Sequence, residues 1–151
     1  MSAITFDDTH WPLLLLRFEG TPTPEQLEAY LARRLEYLQR QERHGIVYDT
    51  RQARLITSQV RQRHAAWSRE HQAQRRQFLV GNALIIPSPV IRLSMNLVLS
   101  LGGAKVPYSV AATVPEGALW VAHRLHEAGE TEPAERLRRH FEPLAQAPHS
   151  R

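Results

Sequence analysis

A chain of 151 residues with a formal charge of +4 and no cysteine is long enough for one domain with its own core, and it has no disulfide, thiolate metal site or cysteine nucleophile. Lys105 is the only lysine among its 19 basic residues. Such arginine use reflects either codon bias or an anion-binding surface, and a charge of this size does not by itself call for nucleic acid.

The opening MSAITFDD has no basic segment followed by a long apolar run, so it does not read as a signal peptide. Residues 4–6 suit a short strand. Asp7, Asp8, Thr9 and His10 form a polar turn. Residues 13–18 are a β-rich apolar run, most simply a central strand packed on both faces. Thr23 is placed to cap a helix, with Pro24 at its first position and Glu25 and Glu28 in its first turns. Leu27, Tyr30, Leu31, Leu35 and Leu38 follow at helical spacing, and the helix is expected to reach about His44, where Gly45 stops it.

Residues 46–48 read as the next strand. Thr57 or Ser58 then caps a helix running to about Arg76. Its apolar stripe is thin (Ile56, Val60, Ala65, Ala66, Trp67), and its other face carries Arg61, Arg63, Arg69, Arg75 and Arg76. Residues 83–86 are a further strand. Ser88 and Pro89 open a helix over 90–101 that is apolar on most faces and should be buried. Both apolar runs, 13–16 and 83–86, are far too short to cross a bilayer. Residues 108–112 form the last strand. Thr113 caps a helix with Glu116 at capping-box spacing and Ala118, Leu119, Val121, Ala122 and Leu125 inward. Gly129, Glu130 and Thr131 break the chain, residues 133–144 can form a short amphipathic helix, and the last seven residues read as disordered.

Strands alternating with helices imply a single-domain α/β sandwich, with a mostly parallel four- to five-stranded sheet and the first strand antiparallel at one edge. The expected division is 1–128 for the domain and 129–151 for a C-terminal short helix and flexible tail.

In such sheets ligands bind beyond the carboxyl ends of the strands. Here those ends carry Asp49, Thr50 and Arg51, then Ser88 and Thr113, with helix N-termini near Ser58, Pro89 and Pro115. Free N–H groups at helix starts attract anions, and Arg51, Arg54 and Arg92 could add charge-assisted hydrogen bonds. Ser88 and Thr113 are more simply read as caps, because Ser and Thr are common there. Asp49 can equally fasten the next loop through its own backbone. His123 and His126 lack a third metal ligand, so they read as surface histidines. Trp67 is better read as packing on the sheet, with His64 and His71 at its boundary. No nucleophile elbow, Walker loop, dinucleotide fingerprint or metalloprotease helix occurs.

The layout resembles the STAS domain family of SpoIIAA-like anti-sigma-factor antagonists over roughly residues 4–126. Val47-Tyr48-Asp49-Thr50 is similar to the family's VLDL strand end. Thr57-Ser58-Gln59 falls at the spacing of its phosphorylatable Asp-Ser-Ser step, and Pro115 to Trp120 resembles its final helix start. Thr57, Gln59 and Val60 depart from that step, so Ser58 reads as a helix-start residue rather than a phosphosite. The sequence is more similar to a divergent SpoIIAA-like branch, related in fold to CRAL-TRIO lipid-binding domains, that lacks the phosphosite. The resemblance implies a non-catalytic cytoplasmic regulatory module that docks a protein partner through the strand-end edge and the basic second helix. The alternative is a carrier or sensor of a small apolar or lipid ligand with peripheral membrane contact. The expected binding residues are Asp49, Thr50, Arg51, Ser58, Arg61, Ser88 and Arg92, with no catalytic or metal residue and no cofactor. The expected partners are a protein, a lipid or anionic ligand, or a second copy of the chain, and nucleic acid is not favoured.

Overall fold

The computed structural model describes residues 3–54, 56–86 and 106–147. Five strands form one sheet in the order β1 (Ala3–Asp7), β2 (Leu13–Gly20), β3 (His44–Ala53), β4 (Leu79–Ile85), β5 (Tyr108–Ala111). β1 runs antiparallel to β2 at the edge, and the other three pairs are parallel. The described helices are α1 (Pro24–Gln39), α2 (Ser58–Glu70), α3 (Gln72–Phe78), α4 (Val114–Glu127) and α5 (Thr131–Gln146).

The leucine run of β2 is apolar on consecutive residues because both faces of the sheet are covered. Leu14 and Leu16 join Ile46, Tyr48 and Leu84 in one core with Leu27, Tyr30, Leu31 and Trp67. Leu13, Val47, Ala83 and Ile85 join a second core with Val121, Leu125, Leu137 and Phe141. Helices α1 to α3 therefore lie on one face, and α4 with α5 on the other. Thr23 caps α1 with a reciprocal bond to Gln26, Thr57 caps α2 through the Val60 N–H, and Thr113 caps α4 through the Glu116 N–H. No helix among the described residues is long and apolar enough to cross a membrane.

Several boundaries differ from the sequence expectation; β4, for one, begins at Leu79 rather than at residue 83. Helix α1 ends at Gln39, and Gln41 takes the left-handed turn at φ 58. Gly45 does not stop a helix: it lies inside β3, where a Cβ would sit 2.4 Å from Val121 Cγ1. Strand β3 continues through Asp49-Thr50-Arg51 to Ala53, because β2 also runs on and pairs Gly20 with Ala53. The expected single helix to Arg76 is broken at His71, which ends α2 and precedes α3. At the C-terminus, α5 reaches Gln146, so Ala145 and Gln146 are helical rather than disordered. Its Ala134, Leu137 and Phe141 complete the second core. The expected helix over 90–101 lies outside the described residues.

Candidate functional site at the carboxyl edge of the sheet

Side chains alternate between the faces of a strand, so Tyr48 points to the α1–α3 face and Asp49 to the α4 face. The parallel register sets Arg17 of β2 directly beside Asp49, and Arg51 follows two residues on, on the same face. The Asp49 side chain is 3% exposed, whereas Arg17 and Arg51 are 47% and 48% exposed. Arg51 grips the carboxylate with both arms of its guanidinium, Nε to Oδ1 at 2.9 Å and Nη2 to Oδ2 at 2.7 Å, and its backbone N–H adds a third bond at 3.1 Å. Arg17 Nε donates to Oδ2 at 3.4 Å.

Burial alone would raise the Asp49 pKa. The Arg51 hydrogen bonds and the charges of Arg51 and Arg17 overcome it and hold the carboxyl below its ordinary range. The trio therefore carries a net positive charge at neutral pH. The buried carboxylate orients two guanidiniums whose outer edges face water. Thr50, on the opposite face, donates its hydroxyl to the Ile85 carbonyl at 2.6 Å, tying β3 to β4.

The remaining expected site residues separate. Ser58 is exposed at the first turn of α2, where Thr57 is the cap. Arg61 Nη1 donates to the Ile56 carbonyl at 2.8 Å, closing the entry to that helix. Arg54 is exposed, and its backbone N–H bonds the Gly20 carbonyl at 3.0 Å. Ser88 and Arg92 lie outside the described residues, as does the helix that was to cover an apolar ligand.

The arginines after Thr57 do not form one exposed basic face. Arg63 holds Glu28 of α1 with bonds of 2.7 and 2.8 Å. Arg75 is buried rather than outward-facing: at helical spacing it follows Val60, His64, Ser68 and His71 on the inward side. Trp67 packs in the core as expected, flanked by the rings of His64 and His71. His123 pairs with Glu127 at 2.6 Å on the surface of α4.

A cleft of about 490 Å³ at the opposite end of the sheet is lined by Trp11, Gln41, Arg43, Phe78, Glu130 and Arg136 among others. Its arginines are engaged within the protein: Arg136 donates to the Trp11 carbonyl at 2.9 Å, and Arg43 bonds the Ala128 carbonyl and lies 4.0 Å from Glu130.

Arg17 escaped the sequence reading because only the strand register brings it to Asp49. Arg51 was legible, since residues two apart on a strand share a face. Arg34 was also within reach: it falls among Tyr30, Leu31, Tyr37 and Leu38, the inward positions of α1.

No protein-family model matches the chain, and no curated protein matches it in sequence. Its fold is similar to that of an uncharacterised DUF3478-family protein from Shewanella loihica, described as having a SpoIIAA-like fold. The identity is 10% and the TM-score 0.61, over 80% of this chain and 95% of that one. A chain of the Pseudomonas aeruginosa complex between the diguanylate cyclase SiaD and its activator SiaC aligns at 10% identity and a TM-score of 0.47, covering 73% and 90%. That second likeness is too distant to carry an argument. The first shows the fold: the chain is a mostly parallel α/β domain of SpoIIAA-like type, as the STAS resemblance implied.

Proposed function

We propose that the protein is a non-catalytic binding module that docks an acidic segment of a protein partner on the carboxyl edge of its sheet. The observation that carries this reading is the pair of half-exposed guanidiniums, Arg17 and Arg51, fixed by the buried Asp49 carboxylate. A long arginine side chain held in one geometry has already lost most of the freedom that binding would otherwise take from it. Its planar fork suits a partner carboxylate. Asp49 acts through the arginines and does not itself face the partner. Exposed Arg54 follows the same strand, and Arg61 holds the entry to α2 in place.

Affinity capture from the protein's own cells tests this reading, with wild type compared to the double variant Arg17→Ala/Arg51→Ala. The expected result is a specific captured protein that is released by moderate salt and missing from the variant's eluate. Equal recovery by a folded double variant would remove the strand-end edge as the docking site.

A further inference from the structure

On the other face of the sheet two arginines are almost wholly buried, Arg34 at 2% exposure and Arg75 at 5%. Neither forms an ion pair with a carboxylate among the described residues. No side chain elsewhere in the sequence can supply one, because residues 1–2, 55, 87–105 and 148–151 contain neither Asp nor Glu. Buried charge without a counter-charge is costly, and a guanidinium does not shed its proton at neutral pH to escape that cost.

Arg34 is accommodated by ring faces, 4.8 Å from Trp67, 5.8 Å from Tyr30 and 5.9 Å from Tyr48. Its Nη1 also donates to the Tyr30 hydroxyl at 3.3 Å. The Tyr30 oxygen therefore accepts from Arg34, and its proton is free for His64 Nε2 at 3.2 Å. Burial first, then the charges of Arg34 and Arg75, push the His64 pKa down to about 3, so the ring is neutral. A neutral imidazole that accepts at Nε2 carries its proton on Nδ1. That Nδ1 is buried without a hydrogen-bond partner, and so are Arg75 Nε and Nη1. The charge of Arg34 acts on Arg75 as well, so these groups form one electrostatic cluster. What the cluster lacks on three of its buried atoms is an acceptor. Asn82 Oδ1, from β4 next to Ile46 of β3, lacks a donor.

We propose that this cluster is a binding site for a small oxyanion, received by Arg75 and His64 between α2, α3 and the sheet, with Arg34 supplying charge from behind Tyr30. Phosphate and small carboxylates share the acceptor oxygens the site requires. Phosphate carries more such oxygens than a carboxylate, so it can meet all three unpartnered donors. This site is independent of the docking edge, which lies on the other face of β3.

The test is thermal unfolding of the full chain in phosphate, acetate or chloride at equal ionic strength and pH. Phosphate is expected to raise Tm with the logarithm of its concentration above Kd, by roughly 5 °C or more at a hundredfold excess. A rise with acetate alone would assign the site to carboxylates and still support it. Arg75→Met should abolish the rise, His64→Phe should weaken it by removing the Nδ1 donor, and Arg51→Ala should leave it intact. Should Arg75→Met fail to fold, Arg75→Gln and His64→Phe provide the same comparison. Identical Tm values in all three salts would overturn the proposal, and so would a full rise in folded Arg75 variants or a rise lost only in Arg51→Ala.

Discussion

Tyr48 and Asp49 are neighbours in β3, yet they belong to two arginine clusters of opposite construction. On the α4 face a buried carboxylate holds two guanidiniums that reach into water. On the α1–α3 face two guanidiniums are buried among Tyr30, Tyr48 and Trp67 with no carboxylate beside them. The difference separates two uses of arginine. Paired below and exposed above, it presents charge outward to a large partner. Buried and unpaired, it leaves charge and donors directed inward, where only a small anion fits. One strand can carry both because its side chains alternate, so the two clusters share a backbone without sharing atoms.

The largest expected effect comes from opening the buried cluster. Trp67→Ala removes a core ring and the face on which Arg34 rests, and should cost about 3–5 kcal/mol in urea unfolding. A loss well under that would mean that the ring and Arg34 are not packed as described. On the other face, Asp49→Ala takes three hydrogen bonds from Arg51 but leaves both arginines free to hydrate, so the expected cost is smaller, about 2 kcal/mol. An effect as large as that of Trp67→Ala would show the outer cluster to be as closed as the inner one.

Acid should separate the clusters next. His64 has its folded pKa held down to about 3, against 6.5 as its ordinary value. The unfolded chain therefore takes up a proton that the fold refuses, and stability falls as pH drops through 6.5 toward 3, by roughly 1–2 kcal/mol at pH 5. His64→Phe should reduce that slope between pH 7 and pH 5, leaving the part due to His44, whose buried ring is held down to about 4. Asp49 is also held below its ordinary 3.8, so its contribution is intact above about pH 4 and is lost only as pH falls below that. Urea midpoints of wild type and both variants at pH 7, 5 and 3.5 would resolve the two windows. A slope between pH 7 and 5 that disappears in Asp49→Ala and persists undiminished in His64→Phe would reverse the assignment. The smallest effect is expected for Arg17→Ala, under about 1 kcal/mol, because that side chain is half exposed and Arg51 still pairs the buried carboxylate. That variant should weaken partner capture while keeping its stability, which separates docking from folding.

Much of the frame is legible in the amino-acid order. Thr23, Thr57 and Thr113 mark three helix starts because a side-chain oxygen at that point satisfies an otherwise unpaired N–H. The leucines of β2 announce a strand covered on both faces. The length of β3 is not legible, because Arg51 and Gln52 look like loop residues until β2 is seen to run alongside them. The partnership of Arg17 with Asp49 depends on the same register, across more than thirty residues of sequence. Arg34 was marked by its place on the inner stripe of α1, and Arg75 by following Val60, His64, Ser68 and His71 at helical spacing. The break at His71 was not marked, having neither glycine nor proline to signal it.

The division of labour between the two clusters can be read directly from the arginine side-chain Nε–H resonances of the full chain during titration with inorganic phosphate at constant ionic strength. The Arg75 Nε–H lacks an acceptor, whereas the Arg51 Nε–H is already bonded to Asp49 at 2.9 Å. A saturable shift of the Arg75 resonance, with that of Arg51 unmoved, is the result this account requires. A shift of Arg51 with Arg75 unmoved would place the anion at the carboxyl edge and contradict it.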